Sequence, residues 1–155
     1  MRIRLVAMGQ RMPAWVDAGM ADYVQRLPRE YRFELVELKP APRDRGRSAA
    51  QLLAEERIRI EAATTGAQLI ALDERGAAWT TREFANRLAS WHEVQADLAF
   101  LIGSADGLDP GLKAASHARV ALSAMTLPHA LCRVILAEQL YRAASLAAGH
   151  PYHRD

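Results

Sequence analysis

The sequence has 155 residues and a mass of 17.2 kDa, the size of one ordinary domain spanning residues 1–155. Half of the residues are hydrophobic and a quarter are charged, which is typical of a globular protein that buries a core. The net charge of +2 excludes a histone-like polycation, and the single cysteine, Cys132, excludes an internal disulfide and a cysteine-based metal site.

Segments typical of strands and helices alternate along the chain. Short apolar runs predict strands, and two capping boxes, Ser48 with Gln51 and Thr80 with Glu83, predict helix starts. The predicted strands are 3–8, 33–38, 68–73, 97–103 and 119–124, and the predicted helices begin near residues 14, 48, 80, 109 and 128. This alternation predicts an α/β fold with a mainly parallel sheet and helices on both faces.

The last predicted helix, which ends at Gly149, is apolar around most of its circumference. Between residues 130 and 148 its charged residues are Arg133, Glu138 and Arg142, which are too many for a membrane span. Such a helix is buried on more than one side, so a symmetric homodimer through this helix is expected, with burial inside one subunit as the alternative. The apolar run of residues 1–8 is too short for a signal peptide, and a cytoplasmic protein is therefore expected.

Three strand ends carry unusual sequences, and in open α/β sheets ligands bind beyond the carboxyl ends of the strands. These are residues 72–76, 102–108 and 122–129, in which glycines, small residues and leucines predominate. No P-loop and no ordinary dinucleotide fingerprint occurs. Aliphatic walls and accessible backbone suit a neutral purine with an amino-acid tail better than a polyphosphate, although three ordinary strand-to-helix turns explain the pattern about equally well.

Cys132, inside the apolar last helix, is interpreted as a packing residue, and no metal site is expected. The chain ends differently from most, because residues 149–155 contain an aromatic ring, two imidazoles and a guanidinium. Such a tail could contact RNA bases and phosphates, and a disordered polar end is the alternative.

Several of these segments together resemble the RlmH family, small bacterial SPOUT methyltransferases that methylate N3 of a pseudouridine in 23S ribosomal RNA. The resemblance rests on Leu-Ser-Ala-Met-Thr-Leu-Pro-His at 122–129, the ending Gly-His-Pro-Tyr-His-Arg at 149–154, Leu-Ile-Gly at 101–103, Asp-Gly-Leu at 106–108 and the opening Leu-Val-Ala-Met-Gly at 5–9. It extends over the whole chain. Ser104 stands where the family often has a second glycine, and Asp106 where it often has Glu or Asn.

The resemblance implies an α/β knot, in which the C-terminal segment threads a loop to form a trefoil, and a dimer through the last helix. It also implies a knot-built pocket for S-adenosylmethionine. The matching cofactor residues are Leu72, Gly103, Leu122, Ser123, Ala124, Met125, Thr126 and Leu127.

Methyl transfer to a pseudouridine N3 requires loss of the N3 proton, which a cation near the uracil carbonyls favours. Arg154 is the first candidate for that cation, His153 for the proton acceptor and Tyr152 for a stacking group. His129 is a second candidate base, or a structural residue at a helix start.

The basic residues are 18 Arg and two Lys, a bias that either reflects RNA binding or coding preference. Candidate RNA contacts are Arg43, Arg45, Arg47, Arg133 and Arg142, the last of which could instead pair with Glu138. With so little net charge, the expected substrate is 23S rRNA within a preassembled ribosomal particle. The alternatives are a related knotted methyltransferase acting on tRNA and a non-catalytic dimeric RNA-binding module.

Overall fold

The computed structural model describes residues 1–44 and 46–152. Its five strands form one sheet in the order β2-β1-β4-β3-β5, in which every neighbouring pair is parallel. The strands are β1 (Arg2–Met8), β2 (Arg32–Leu38), β3 (Gln68–Ala78), β4 (Leu98–Ile102) and β5 (Ala118–Ala121). The predicted parallel α/β fold is therefore confirmed.

Four helices connect the strands and a fifth follows β5, and their starts follow the helix-start signals of the sequence. Both predicted capping boxes are present, with Gln51 N donating to Ser48 Oγ at 3.2 Å and Glu83 N donating to Thr80 Oγ1 at 3.2 Å. The helices are α1 (Ala14–Val24), α2 (Ala49–Ala63), α3 (Thr81–Glu93), α4 (Pro110–Ala115) and α5 (His129–Ala147).

Side chains that alternate along the strands form a core on each face of the sheet. On β1, Leu5 belongs to the core covered by α1, α3 and α5, whereas Val6 belongs to the core covered by α2 and α4. Helices thus lie on both faces, as predicted, and all the carboxyl ends of the parallel strands point to one edge.

Strand β3 extends five residues beyond its predicted end at Asp73, and the extension contains a large irregularity. Leu72 and Ala77 both pair with Val120 of β5, so residues 73–76 leave the ladder between them. A Cβ at Gly76 would lie 2.5 Å from the backbone nitrogen of Val120, so the close approach of the two strands requires glycine there. Residues 73–76 therefore loop out of the sheet at the edge formed by the carboxyl ends of the strands.

Helix α5 packs against α1 and α3, and its buried hydrophobic residues belong to the core on that face of the sheet. The remainder of its surface is half-buried as far as Leu146. Burial inside the subunit accounts for part of its apolar surface, and the dimer stays a prediction, as does the trefoil knot. In the described ranges, no helix combines the length and apolarity needed to cross a membrane.

Candidate functional site

The strand ends singled out in the sequence meet at one cavity of about 660 Å³, a volume suited to a small organic ligand. The cavity lies at the carboxyl ends of β3, β4 and β5. Seven of the eight residues predicted to hold a cofactor line it, namely Leu72, Gly103, Leu122, Ser123, Met125, Thr126 and Leu127. The eighth, Ala124, is exposed and is not among the lining residues. Three segments distant in sequence therefore form one site.

A tight turn after β4, residues 103–108, forms one wall. Gly107 N donates to the Ser104 carbonyl at 2.9 Å, and Gly107 has a φ of +85°, which favours glycine. A Cβ on Gly103 would lie 2.3 Å from both the carbonyl carbon and oxygen of Gly107. Gly103 therefore serves the internal packing of the turn.

The segment between β5 and α5, residues 122–128, forms the opposite wall. Met125 N donates to Ser123 Oγ at 2.9 Å, and Thr126 Oγ1 donates to Glu74 at 3.2 Å, which ties this segment to the residues expelled from β3. The Met125 side chain is 77 % exposed. A flexible thioether at the rim can cover an apolar ligand.

Two basic side chains form ion pairs with the charged carboxylate of Asp73 in the cavity wall. Its carboxylate lies 3.3 Å from Lys113 Nζ and 3.0 Å from Arg119 Nη2, and it accepts a hydrogen bond from the Arg75 amide at 3.1 Å. Burial alone would raise the pKa of Asp73, but these hydrogen bonds hold the pKa below its ordinary value. Asp73 thus keeps its charge and stabilises the wall.

Cys132 of α5 also lines the cavity. Burial raises the pKa of its thiol, so the group stays neutral rather than becoming a thiolate. This agrees with its interpretation as a packing residue. Among the described residues, no group of three potential metal ligands occurs.

At the base of the cavity, His129 is held by the buried side chain of Arg133. Arg133 Nε donates to His129 Nε2 at 2.9 Å, and Arg133 also contacts Glu37 at 2.7 Å and the Gly9 carbonyl at 3.0 Å. Burial and the neighbouring guanidinium lower the pKa of His129, while a hydrogen bond to the Gly103 backbone opposes this shift. Because Nε2 already accepts a hydrogen bond, the geometry favours the structural interpretation of His129 over that of a general base.

The prediction that Arg133 contacts RNA is wrong. Its side chain is fully buried, and its guanidinium donates to an imidazole, a carboxylate and a carbonyl inside the protein. Arg133 joins α5 to the ends of β1 and β2, below the cavity.

Arg133→Met is expected to destabilise the protein by about 3 kcal/mol, lowering Tm by roughly 10 °C. The variant leaves Glu37 and His129 without their common donor, although Met preserves much of the apolar volume. Thermal unfolding monitored by circular dichroism measures the change. A Tm that stays within about 2 °C of the wild-type value would contradict the structural importance of this network.

The other predicted RNA contacts also have partners inside the chain. Arg142 donates to Glu138 at 2.8 Å, which is the predicted alternative, and Arg47 pairs with Glu55. Arg43 pairs with Glu56 and Asp106, at 2.7 and 2.8 Å. Arg45 lies outside the described residues.

The described part of the tail packs on α5 of its own subunit. The Tyr152 hydroxyl donates to Glu138 at 3.2 Å, and its ring centroid lies 4.6 Å from that of Tyr141. Tyr141 follows the cavity residue Cys132 by nine positions, or about 13 Å along a helix. Tyr152 is not among the residues that line the cavity. His153 and Arg154 lie outside the described residues.

The sequence interpretation missed Glu56, a carboxylate that is 2 % exposed. The helical spacing of the sequence could have revealed it. Leu52 and Leu53 precede Glu56 by four and three residues and Ile60 follows it by four, which places Glu56 on the apolar, buried face of α2. Asp73 and Glu74 were also missed as individual site residues, although they belong to a segment that had been singled out.

Comparison with known proteins agrees with this arrangement. The family model described as "Predicted SPOUT methyltransferase" matches residues 1–153. Proteins named "Ribosomal RNA large subunit methyltransferase H" from Paraburkholderia xenovorans, Burkholderia cenocepacia and Nitrosospira multiformis are each 52% identical over 155 residues, covering 99% of both chains.

Solved structures show the same fold at low sequence identity. A probable methyltransferase from Bordetella pertussis has a TM-score of 0.59 at 20% identity, covering 92% of this chain and 96% of that one. A probable methylase family protein from Haemophilus influenzae has a TM-score of 0.57 at 14% identity, covering 99% of this chain and 70% of that one.

Proposed function

The chain belongs to the SPOUT methyltransferase family and, within it, to the RlmH methyltransferases, and from this premise we propose that it transfers a methyl group from S-adenosylmethionine to N3 of a pseudouridine in 23S ribosomal RNA. The observation that carries the proposal is the convergence of Leu72, Gly103 and the 122–127 segment on one cavity.

The chemistry of the cavity suits this methyl donor. Leucines from β3 and the 122–127 segment provide aliphatic surfaces for an adenine ring, and the backbone of the 103–108 turn provides hydrogen-bonding groups. When bound, S-adenosylmethionine supplies an already activated methyl group, so the protein needs neither a covalent nucleophile nor a metal. Its residues would orient donor and acceptor for an in-line displacement.

The tail is proposed to act on the acceptor base. Arg154 would place a cation near the uracil carbonyls, where it favours loss of the N3 proton, and His153 would accept that proton. Tyr152 would stack on or orient the base. His129 is proposed to have a structural role at the base of the cavity rather than to accept the N3 proton, because its Nε2 already accepts a hydrogen bond from Arg133 Nε.

The packing of Tyr152 favours a shared site in a homodimer. Tyr152 contacts α5 at Glu138 and Tyr141, about 9 and 13 Å along the helix from the cavity residue Cys132. The tail of one subunit is therefore proposed to complete the cavity of the other. A dimer contact through α5 would bring the tail of one subunit near the cavity of the other. It would also cover the half-buried apolar side chains Leu131, Ile135 and Leu146.

The charge distribution favours an assembled substrate. The net charge is +2, and Arg43, Arg47 and Arg142 each have an intramolecular acidic partner. Weak binding to isolated RNA follows, because affinity for the phosphate backbone depends on available cations. The proposed substrate is therefore a ribosomal particle in the cytoplasm.

Transfer of a radiolabelled methyl group to ribosomes, large subunits, tRNA and a short rRNA hairpin tests the proposal. We expect labelling of the ribosomal particles, with N3-methylpseudouridine identified in digests of their RNA, and little labelling of the hairpin. Labelling of tRNA alone would instead identify a tRNA methyltransferase. Absence of saturable S-adenosylmethionine binding in calorimetry would favour a non-catalytic RNA-binding module.

A further inference from the structure

Glu56 lies beneath the turn that forms one wall of the cavity, and its two carboxylate oxygens join three segments. Oε1 accepts hydrogen bonds from the Ala41 amide at 2.9 Å and from Arg43 Nη1 at 2.7 Å. Oε2 accepts one from Ser104 Oγ at 2.7 Å. Because the carboxylate is almost entirely removed from water, these partners replace its hydration.

Arg43 strengthens the same connection from the solvent side. Its Nη1 also donates to the Ala41 carbonyl at 2.8 Å, and its Nη2 donates to Ser104 Oγ and to Asp106, both at 2.8 Å. The hydrogen bond with Glu56 raises the pKa of Arg43. A single guanidinium therefore links residues 41–43 to both Ser104 and Asp106 of the turn.

We propose that Glu56 and Arg43 are positioning residues for methyl-donor binding, which hold the 103–108 turn in the shape that lines the cavity, and that Arg43 does not serve as an RNA contact. This inference rests on the proposed function, because it assigns the turn to the binding of S-adenosylmethionine.

The exposed, glycine-containing turn needs such support. Ala105, Asp106 and Gly107 are exposed, and Gly107 has a positive φ. A segment of this kind gains much conformational freedom when its anchors are lost. Since a ligand binds only the fraction of molecules whose site has the right shape, the apparent affinity for the donor falls with that fraction.

Glu55 offers a matched control, one residue away on the same helix. It is a carboxylate that pairs with Arg47 and with Arg59, but its side chain is 32 % exposed. Glu55→Gln and Glu56→Gln each remove one negative charge. They differ because Glu56, unlike Glu55, accepts a hydrogen bond from Ser104.

Isothermal titration with S-adenosylmethionine tests the inference in the full-length protein. Glu56→Gln is expected to weaken binding about tenfold, and Ser104→Ala, which removes a single hydroxyl, about threefold. Glu55→Gln should bind as the wild type does. Arg43→Met should match Glu56→Gln, and Arg43→Lys should restore part of the affinity because it retains the charge without the planar fork.

Two further readouts separate positioning from general loss of structure. In steady-state methylation of ribosomes, Glu56→Gln should raise KM for the donor while kcat stays within about twofold. In hydrogen exchange without donor, the amides of residues 103–108 should exchange faster in Glu56→Gln and Ser104→Ala, whereas the core of β4 should not change. Arg43→Met should bind ribosomes with wild-type affinity.

Several results would overturn the inference. Wild-type donor affinity in a folded Glu56→Gln variant would do so, as would equal weakening in Glu55→Gln, which would indicate a general effect of charge. Loss of ribosome affinity with unchanged donor affinity in Arg43→Met would make Arg43 an RNA contact. If the wild-type chain itself binds no S-adenosylmethionine, the proposed function fails and the inference fails with it, whereas intact wild-type binding confines any failure to the inference.

Discussion

Gly103→Ala is expected to lower the affinity for S-adenosylmethionine by about a hundredfold or more. The added Cβ would lie 2.3 Å from the Gly107 carbonyl carbon and oxygen and 2.8 Å from the Leu108 nitrogen. These are backbone atoms, so the clash cannot be relieved by rotation of a side chain, and the turn must move by about an ångström. A misplacement of about an ångström in a site can cost about a hundredfold. Isothermal titration measures the loss.

Gly66→Ala provides the control for this substitution. Gly66 has a φ of +77° and open space at its Cβ position, and it lies before β3, at the edge of the sheet opposite the cavity. The variant should lose about 1 kcal/mol of stability from backbone strain and keep its donor affinity. Donor binding by a folded Gly103→Ala variant at wild-type affinity would contradict the assignment of the cavity.

Deleting residues 150–155 is expected to abolish methyl transfer and to leave donor affinity within about twofold of the wild type. The truncation removes the proposed acceptor-binding groups, but Tyr152 packs on Tyr141 and Glu138 and is not among the residues lining the cavity. Its loss removes a ring contact worth about 1 kcal/mol, so the chain should still fold. Methylation of ribosomes and donor titration measure the two effects, and full activity in the truncated chain would contradict the role of the tail.

Mixing the two variants tests whether the tail acts across a dimer. The truncated chain keeps an intact cavity, and the Gly103→Ala chain keeps an intact tail. If one subunit's tail completes its partner's cavity, mixed dimers contain one complete site. At donor concentrations too low to occupy the Gly103→Ala cavity, each chain alone should be inactive, and activity should return when the two chains are unfolded and refolded together. Continued inactivity, with mixed dimers shown by mass spectrometry, would place tail and cavity in the same subunit.

The architecture followed from local patterns in the sequence. Alternating side chains on β1 supply both cores, and the capping boxes at Ser48 and Thr80 begin α2 and α3 where predicted. These features depend on neighbours a few residues away, so they are visible without a structure. The location of the cavity at the strand ends was also predictable, since it follows from parallel topology.

The charged residues around the site could not be placed in the same way. Arg133 was predicted to contact RNA, yet its side chain is buried and its partner Glu37 lies 96 residues away in the sequence. Glu56 binds Ser104 from a distance of 48 residues. The irregularity in β3 likewise depends on its register with β5. Each of these features arises from contacts between distant segments, which no local pattern reports.

A crystal structure of the protein with bound S-adenosylmethionine tests the central claim most directly. We expect the adenosine to lie among Leu72, Leu122 and Leu127, with its ring edge hydrogen-bonded to backbone groups of the cavity walls and its methyl group facing the open side. A donor bound outside this cavity, or a cavity that stays empty at saturating concentrations of a donor shown to bind in solution, would contradict the account.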